Sequence, residues 1–198
     1  QYDIMDDLGL DGVLRGVKLN IPEKKIFGKA KTLKLRALED GEDFRGIYNA
    51  LYSYNTIIPN DIIIVENEIS EFAYFGELNA NLAIRSGASA AIIGGVTRDT
   101  AEVKKLGFPV FSKGSNCKDV RKRATMESYN KTIKVEGIKV SPNDLIFGDN
   151  DGIIVIPKKH EDKILKRAFE VIKTESNILV DIANGVDVDQ LTKEHGFF

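Results

Sequence analysis

A single cysteine, Cys117, among 198 residues leaves no internal disulfide framework and no cysteine-rich zinc site. A thiol with no positioned histidine beside it is no candidate nucleophile either. Histidine is almost as scarce. His160 and His195 are the only two, far apart in sequence and outside any recognisable catalytic or metal-ligand spacing, so both read as exposed helix-end residues. No apolar run approaches the roughly 20 residues that cross a bilayer, and the opening residues lack a basic-then-apolar leader pattern. Together these absences predict a cytoplasmic protein with no membrane association. An excess of one charge is missing too: the formal net charge is −2. The one compact basic cluster, Arg121-Lys122-Arg123, reads as a solvated loop, because a nucleic-acid footprint needs a whole basic face. No nucleic-acid partner is expected.

What is present suits one α/β domain over residues 1–198. Hydrophobic residues make up 42% of the chain and charged residues 29%, enough for a buried core under a soluble surface. The chain opens with Gln1, and Ile4, Met5 and Leu8 already have helical spacing, so it begins at or inside an element. Gly12 to Pro22 reads as a loop, Ile26 to Leu35 as a strand with Phe27, Leu33 and Leu35 on one face, and Glu42 to Tyr52 as a helix. Pro59-Asn60-Asp61 is a turn before Ile62-Ile63-Ile64-Val65, a β-branched run that fits a strand buried on both faces. A helix over Glu77 to Arg85 closed by Gly87, a strand over Ala90 to Ile93, a helix over Thr100 to Leu106 ended by Gly107, and a strand over Pro109 to Phe111 complete a β-α-β-α-β succession. Short strands at Thr132–Val135, Ile138–Val140, Leu145–Phe147 and Ile153–Ile156, separated by hairpin-type turns, predict an antiparallel layer. From Glu161 the chain reads as helical, with Ile164, Ala168, Val171, Ile172, Leu179 and Ile182 near one face, so about 160–198 form a C-terminal helical extension.

Two constellations carry candidate chemistry. In Ile92-Ile93-Gly94-Gly95-Val96-Thr97-Arg98-Asp99 a strand runs into a helix, and the carboxyl ends of strands in α/β sheets are where ligands sit. The two glycines would let a ligand approach the backbone. Arg98 offers a planar fork for a carboxylate or enolate oxygen, and Asp99 a hard oxygen for a divalent cation. The same residues also fit a plain helix start, since Asp99 followed by Glu102 resembles a capping box. In Phe75-Gly76-Glu77-Leu78-Asn79, the unpaired amides of a helix's first turn make a site for a small carboxylate, while Glu77 alternatively only complements the helix dipole.

Taken in order, Gly76-Glu77-Leu78, Arg85-Ser86-Gly87-Ala88, Gly94 to Asp99, Leu106 to Val110, Val140 to Leu145 and Gly148 to Pro157, reaching back to Asp3-Ile4-Met5-Asp6, resemble the RraA-like family over nearly the whole chain. That family includes metal-dependent 4-hydroxy-4-methyl-2-oxoglutarate aldolases and protein-binding regulators of an RNA-degrading endonuclease. The resemblance implies a layered β/β/α swivelling-domain fold, assembled as a homotrimer or hexamer with active sites between subunits. It implies that Arg98 contacts a small 2-keto acid substrate, that Asp99 holds Mg²⁺ or Mn²⁺ largely through water, and that Gly76 to Asn79 receive the substrate carboxylate with Glu77 close by. Such parts suit a lyase that releases pyruvate, with oxaloacetate decarboxylation as a side activity. There Arg98 balances charge on the 2-keto oxygen, and a metal-bound hydroxide or a water activated by Glu77 acts as base.

Val65-Glu66-Asn67-Glu68 stands where many members have an aspartate followed by glycines, and Glu170 or Glu175 would supply the acidic residue that aldolases lend to a neighbouring subunit. Two other readings stay open on the residues alone: a non-catalytic regulator of RNA degradation, and an accessory domain of a larger enzyme. Lys29, Lys31 and Lys34 raise a Schiff-base option but read as a solvated strand face. Asp149 and Asp151 read as shaping a hairpin turn.

Overall fold

The run Ile62-Ile63-Ile64-Val65 is buried on both faces and forms the middle of the sheet on which residues 11–158 are built. The computed structural model describes residues 2–7 and 9–196, so the expected apolar position Leu8 lies outside the described residues. In chain order the elements are α1 (Tyr2–Asp6), β1 (Val13–Leu14), β2 (Lys18–Leu19), β3 (Ile26–Ala37), a 3-10 helix (Phe44–Thr56), β4 (Ile62–Asn67), α2 (Glu77–Ser86), β5 (Ala90–Ile93), β6 (Val96–Thr97), α3 (Thr100–Lys105), β7 (Val110–Ser112), β8 (Gly114–Ser115), β9 (Ala124–Tyr129), β10 (Ile133–Val135), β11 (Ile138–Val140), β12 (Leu145–Gly148), β13 (Ile153–Ile156), a short 3-10 turn (Lys158–His160), α4 (Glu161–Ala183) and α5 (Val188–His195).

The main sheet runs in the order β1-β13-β12-β3-β4-β5-β7-β2. Its centre, β3-β4-β5-β7, is parallel, as the β-α-β-α-β reading expects. The twelve-residue β3 serves two partners besides β4: β12 pairs with its first four residues and β9 with its last five, with a register shift between Lys34 and Leu35. Bulges of this kind bend a strand and increase its twist.

Period-two alternation then sorts the side chains of β4 and β5 into two cores. Ile63, Val65, Ala91 and Ile93 pack with Ala80 and Ala83 of α2, Val103 of α3, and Ile47, Ala50 and Tyr54 of the 3-10 helix. Ile62, Ile64, Ala90 and Ile92 pack with Leu14, Ile133, Val135, Val140, Ile146, Ile153 and Val155 from the antiparallel strands. Helices on one face and a second β layer on the other make the layered β/β/α fold. Each buried isoleucine contributes about 1.5–3 kcal/mol of apolar burial, and β4 makes that contribution to both cores.

Several local expectations change. The presumed loop from Gly12 to Pro22 contains β1 and β2, each two residues long. The helix expected from Glu42 is a 3-10 helix. Ser53 and Thr56 turn their hydroxyls onto the carbonyls three residues back, at 2.6 and 2.7 Å, which favours tight turns over an α-helical ladder. Phe27 shares its parity with Leu33 and Leu35 but is 54% exposed.

The chain divides into two compact units, residues 11–158 and residues 1–10 with 159–198. In the second unit Ile4, Met5, Ile164, Ala168, Ile178 and Leu191 are buried. The apolar stripe expected along the C-terminal helix is only partly used: Ile172, Leu179 and Ile182 are about half to two-thirds exposed, at 52, 65 and 49%. Among the described residues no helix is long and apolar enough to cross a membrane.

Candidate active site

Backbone pairing brings the two sequence constellations together. Val96 N–H donates to the Ser70 carbonyl, Tyr74 N–H to Val96, and Arg98 N–H to Phe75, so residues 70–76 run alongside 96–98 and end at the same place. Phe75 is buried with φ of 85°, a conformation strained for a bulky side chain, and its ring stacks on Phe108 at 6.0 Å. This turn delivers Gly76 to the start of α2 with no side-chain cap of its own.

The cap comes from across the fold. Asp99 Oδ2 accepts the backbone N–H of Glu77 at 3.1 Å. Asp99 sits at the start of α3, where a capping box with Glu102 was the alternative reading, yet it makes no side-chain cap there and holds a left-handed conformation, φ 54° and ψ 36°. Its carboxylate thus caps α2 instead of α3. Aspartate tolerates that conformation better than most residues, and strain held in place by its surroundings clusters at functional sites.

Arg98 stands over this junction. Its Nε lies 3.7 Å from Asp99 Oδ2 and 3.4 Å from Asp119 Oδ2, with side chains 42, 40 and 33% exposed. Gly76 is what lets the cluster close: a Cβ there would collide with Asp99 Oδ2 and lie 3.1 Å from Arg98 Cγ. Gly94 and Gly95 lie against the protein's own backbone. Cβ atoms on them would lie 2.9 Å from the carbonyls of Val65 and Ser70 respectively, so the close approach of protein backbone is enough to require glycine at both.

Gly76, Leu78, Asn79 and Arg98 line one cavity of about 550 Å³, together with Tyr48, Tyr74 and Arg121. Arg98 and Asp99 also open on a second cleft of about 450 Å³ with Thr100, Ser115 and Asn116. The first amide bonded inside α2 is that of Ala80, to Gly76 O, so the N–H groups of Leu78 and Asn79 precede the helix ladder and complement an anion. Glu77 contributes its backbone; its side chain is exposed and lines neither cavity. Asp119, whose Oδ2 meets the same Arg98 Nε, has no periodicity or motif to mark it in sequence.

The donor set fits a hard divalent cation that keeps most of its water. Asp99 engages the protein through Oδ2, faces a wet cleft and supplies one carboxylate, and Mg²⁺ characteristically takes one or two carboxylates plus solvent.

The other tempting residues sort out as follows. Cys117 is exposed. His160 sits at the N-cap of α4 with no side-chain cap bond. His195 is not the exposed residue expected: its Nε2 lies 2.7 Å from Asp181 Oδ2, and its side chain is 16% exposed. The lysines of β3 are not simply solvated either. Lys31 pairs with the buried Asp61 at 3.6 Å, and Lys34 with Glu127 at 3.2 Å and Glu66 at 3.6 Å. The hydrogen bond that the Lys34 ammonium donates to Glu127, chiefly, holds it above the ordinary lysine range, the opposite of a Schiff-base amine. Asp149 accepts the Asp151 N–H at 2.9 Å and shapes the β12–β13 turn, as read. Glu170 and Glu175 are both exposed on α4. Arg121 and Lys122 stack over Phe44, and Arg123 over Phe72.

Residues 2–155 match the family described as RraA-like, Aldolase/RraA. DlpA of Legionella pneumophila is 23% identical over 194 residues, 98% of this chain but 31% of DlpA, so the chain spans about a third of that relative. A candidate 4-hydroxy-4-methyl-2-oxoglutarate aldolase of Halalkalibacterium halodurans is 27% identical over 161 residues, 81% of this chain and 73% of the relative. The crystal structure of Streptomyces coelicolor RraAS2, described as an unusual member of the RNase ES inhibitor RraA protein family, superposes with a TM-score of 0.75 at 21% identity, covering 87% of this chain and 85% of that one. That structural likeness shows a shared fold.

Proposed function

From the premise that the chain belongs to the RraA-like family, we propose that it is a divalent-cation-assisted carbon–carbon lyase that cleaves small 2-keto acids to release pyruvate. The observation that carries the reading is the cluster at Gly76, where Asp99 caps Glu77 N–H while Arg98 stands beside the same carboxylate. A relative named for 4-hydroxy-4-methyl-2-oxoglutarate aldolase activity supports the reaction class.

In this reading the amides of Leu78 and Asn79 at the start of α2 take the substrate carboxylate, and the helix dipole adds to the attraction. Arg98 faces the 2-keto oxygen and balances the charge that develops there as the C3–C4 bond breaks. Asp119 holds the guanidinium through its Nε. Asp99 would hold Mg²⁺ or Mn²⁺, whose contribution when bound is to polarise the 2-keto group. Glu77, whose carboxylate lies outside both cavities, would take the C4 hydroxyl proton only through intervening solvent. Loss of CO₂ from oxaloacetate leaves the same enolate as aldol cleavage, and in both cases a proton from solvent at C3 completes pyruvate, so decarboxylation accompanies aldol cleavage.

Assembly as a homotrimer or hexamer belongs to the same proposal. Leu78, 78% exposed, and the half-exposed Tyr48 and Leu51 line the cavity beside Arg98, as a wall completed by a neighbouring subunit would.

The test is a coupled pyruvate-release assay with oxaloacetate and a panel of 4-hydroxy-2-oxo acids, run with Mg²⁺ or Mn²⁺, with chelator, and on the Asp99→Asn variant. Release that requires the cation and Asp99 supports the lyase. Pyruvate release indifferent to both would remove the cation role, and a folded protein that turns over no candidate would return the chain to the regulator reading.

A further inference from the structure

α5 is short and thinly cored. It has eight residues and buries Leu191 alone among them, and a helix of that length is marginal without help from its surroundings. It packs on α4 through the turn at residues 184–187, and where the helices meet, polar groups converge. His195 Nε2 of α5 lies 2.7 Å from Asp181 Oδ2 of α4, and one carboxylate oxygen of Glu194 joins them, so that the three ligand atoms all lie within 4.8 Å of one another.

We propose that Asp181, Glu194 and His195 form a binding site for a divalent transition cation of the zinc class, which ties α5 to α4. One imidazole nitrogen and two carboxylate oxygens are a donor set that zinc accepts, with solvent in the fourth tetrahedral position. Zinc bonds of about 2.0–2.2 Å place neighbouring ligand atoms about 3.3–3.5 Å apart. The His195–Asp181 contact opens by less than an ångström, and Glu194 closes from its side. The ligands are partly held in advance. Glu194 Oε1 accepts a hydrogen bond from Gln190 Nε2 at 2.9 Å, the kind of outer contact that orients metal ligands. The His195 ring is largely shielded, 16% exposed. The donor set contains nitrogen, so it prefers a softer ion than the all-oxygen Asp99 does. This site is independent of the lyase reading, and each can fail without the other.

The experiment uses the full chain with Asp99→Asn, so that zinc at the candidate active site does not confuse the count. Zinc chloride is titrated in against a buffering chelator while imidazole ¹⁵N resonances are followed. Only two histidines exist, so the result is direct: His195 should move to a zinc-bound position at one equivalent while His160 stays. Affinity should fall at least tenfold in both His195→Gln and Asp181→Asn, with unchanged circular dichroism, and zinc should raise the melting temperature of the parent but not of these variants. Zinc that leaves the His195 resonance in place, or binds as tightly after both substitutions, would overturn the site.

Discussion

The carboxylate of Asp99 caps a helix that starts twenty-two residues earlier in the chain: its Oδ2 accepts the Glu77 backbone N–H at 3.1 Å. One side chain therefore fixes the start of α2 while its residue lines the cleft beside Arg98. The two duties are separable. In Asp99→Asn the amide oxygen can still accept the N–H and asparagine still tolerates the left-handed conformation, so stability should stay within about 0.5 kcal/mol. Asp99→Ala loses the cap and should cost about 1 kcal/mol or more. Urea denaturation of both variants checks this; equal losses would show that Asp99 does not cap α2.

Gly76→Ala is expected to damage the site more than the fold. The added methyl meets Asp99 Oδ2 and Arg98 rather than backbone, so those side chains must yield. A cost of about 1–3 kcal/mol is typical of such crowding, together with loss of most pyruvate release. Full activity with a raised melting temperature would contradict the close-approach account.

Asp119 is expected to act through Arg98 as a positioning residue. Arg98→Lys removes the planar fork and should lower kcat/KM by about 10²–10³. Asp119→Asn should give a smaller loss, chiefly in kcat. Because the two side chains touch, the double variant should be little worse than Arg98→Lys alone. Strictly additive losses would separate them.

Two of the six tyrosines should resist alkali. Burial pushes the hydroxyls of Tyr54 and Tyr74 up from the ordinary tyrosine range. The sign follows: the unfolded chain ionises these phenols first, so their contribution to stability is complete below about pH 10 and is lost as the pH rises above it. Ultraviolet titration of tyrosinate should show two phenols that ionise only as the protein unfolds, and Tyr54→Phe and Tyr74→Phe should each remove one of them. Ionisation of both phenols in the folded state would be the contrary result.

The parallel centre of the sheet was legible because a β-branched run such as Ile62 to Val65 has one plausible environment, and glycines such as Gly87, with φ of 91°, end helices for a local reason. The pairing of Gly76 with Arg98 and Asp99 was legible through motif order, since spacing alone allowed an ordinary capping box. What escaped depends on contacts distant in sequence. Asp119 is defined by where Arg98 reaches, not by any pattern around it. Gly94 and Gly95 are held to glycine by the carbonyls of Val65 and Ser70, which no local pattern reveals. His195 looks like a free helix end until α5 folds back onto Asp181. The stripe on α4 has helical period over its whole length, yet only its Ile164 and Ala168 are buried, with Ile178 outside the expected stripe, because periodicity states which residues share a face and not whether that face is covered.

Whether Asp99 holds a divalent cation beside Arg98 can be read from Mn²⁺ binding followed by electron paramagnetic resonance in the presence of pyruvate. The wild-type chain should bind Mn²⁺ in competition with Mg²⁺, its signal should change when pyruvate is added, and Asp99→Asn should weaken binding at least tenfold while the fold is retained. Equal Mn²⁺ affinity and an equal pyruvate response in the two proteins would contradict the account.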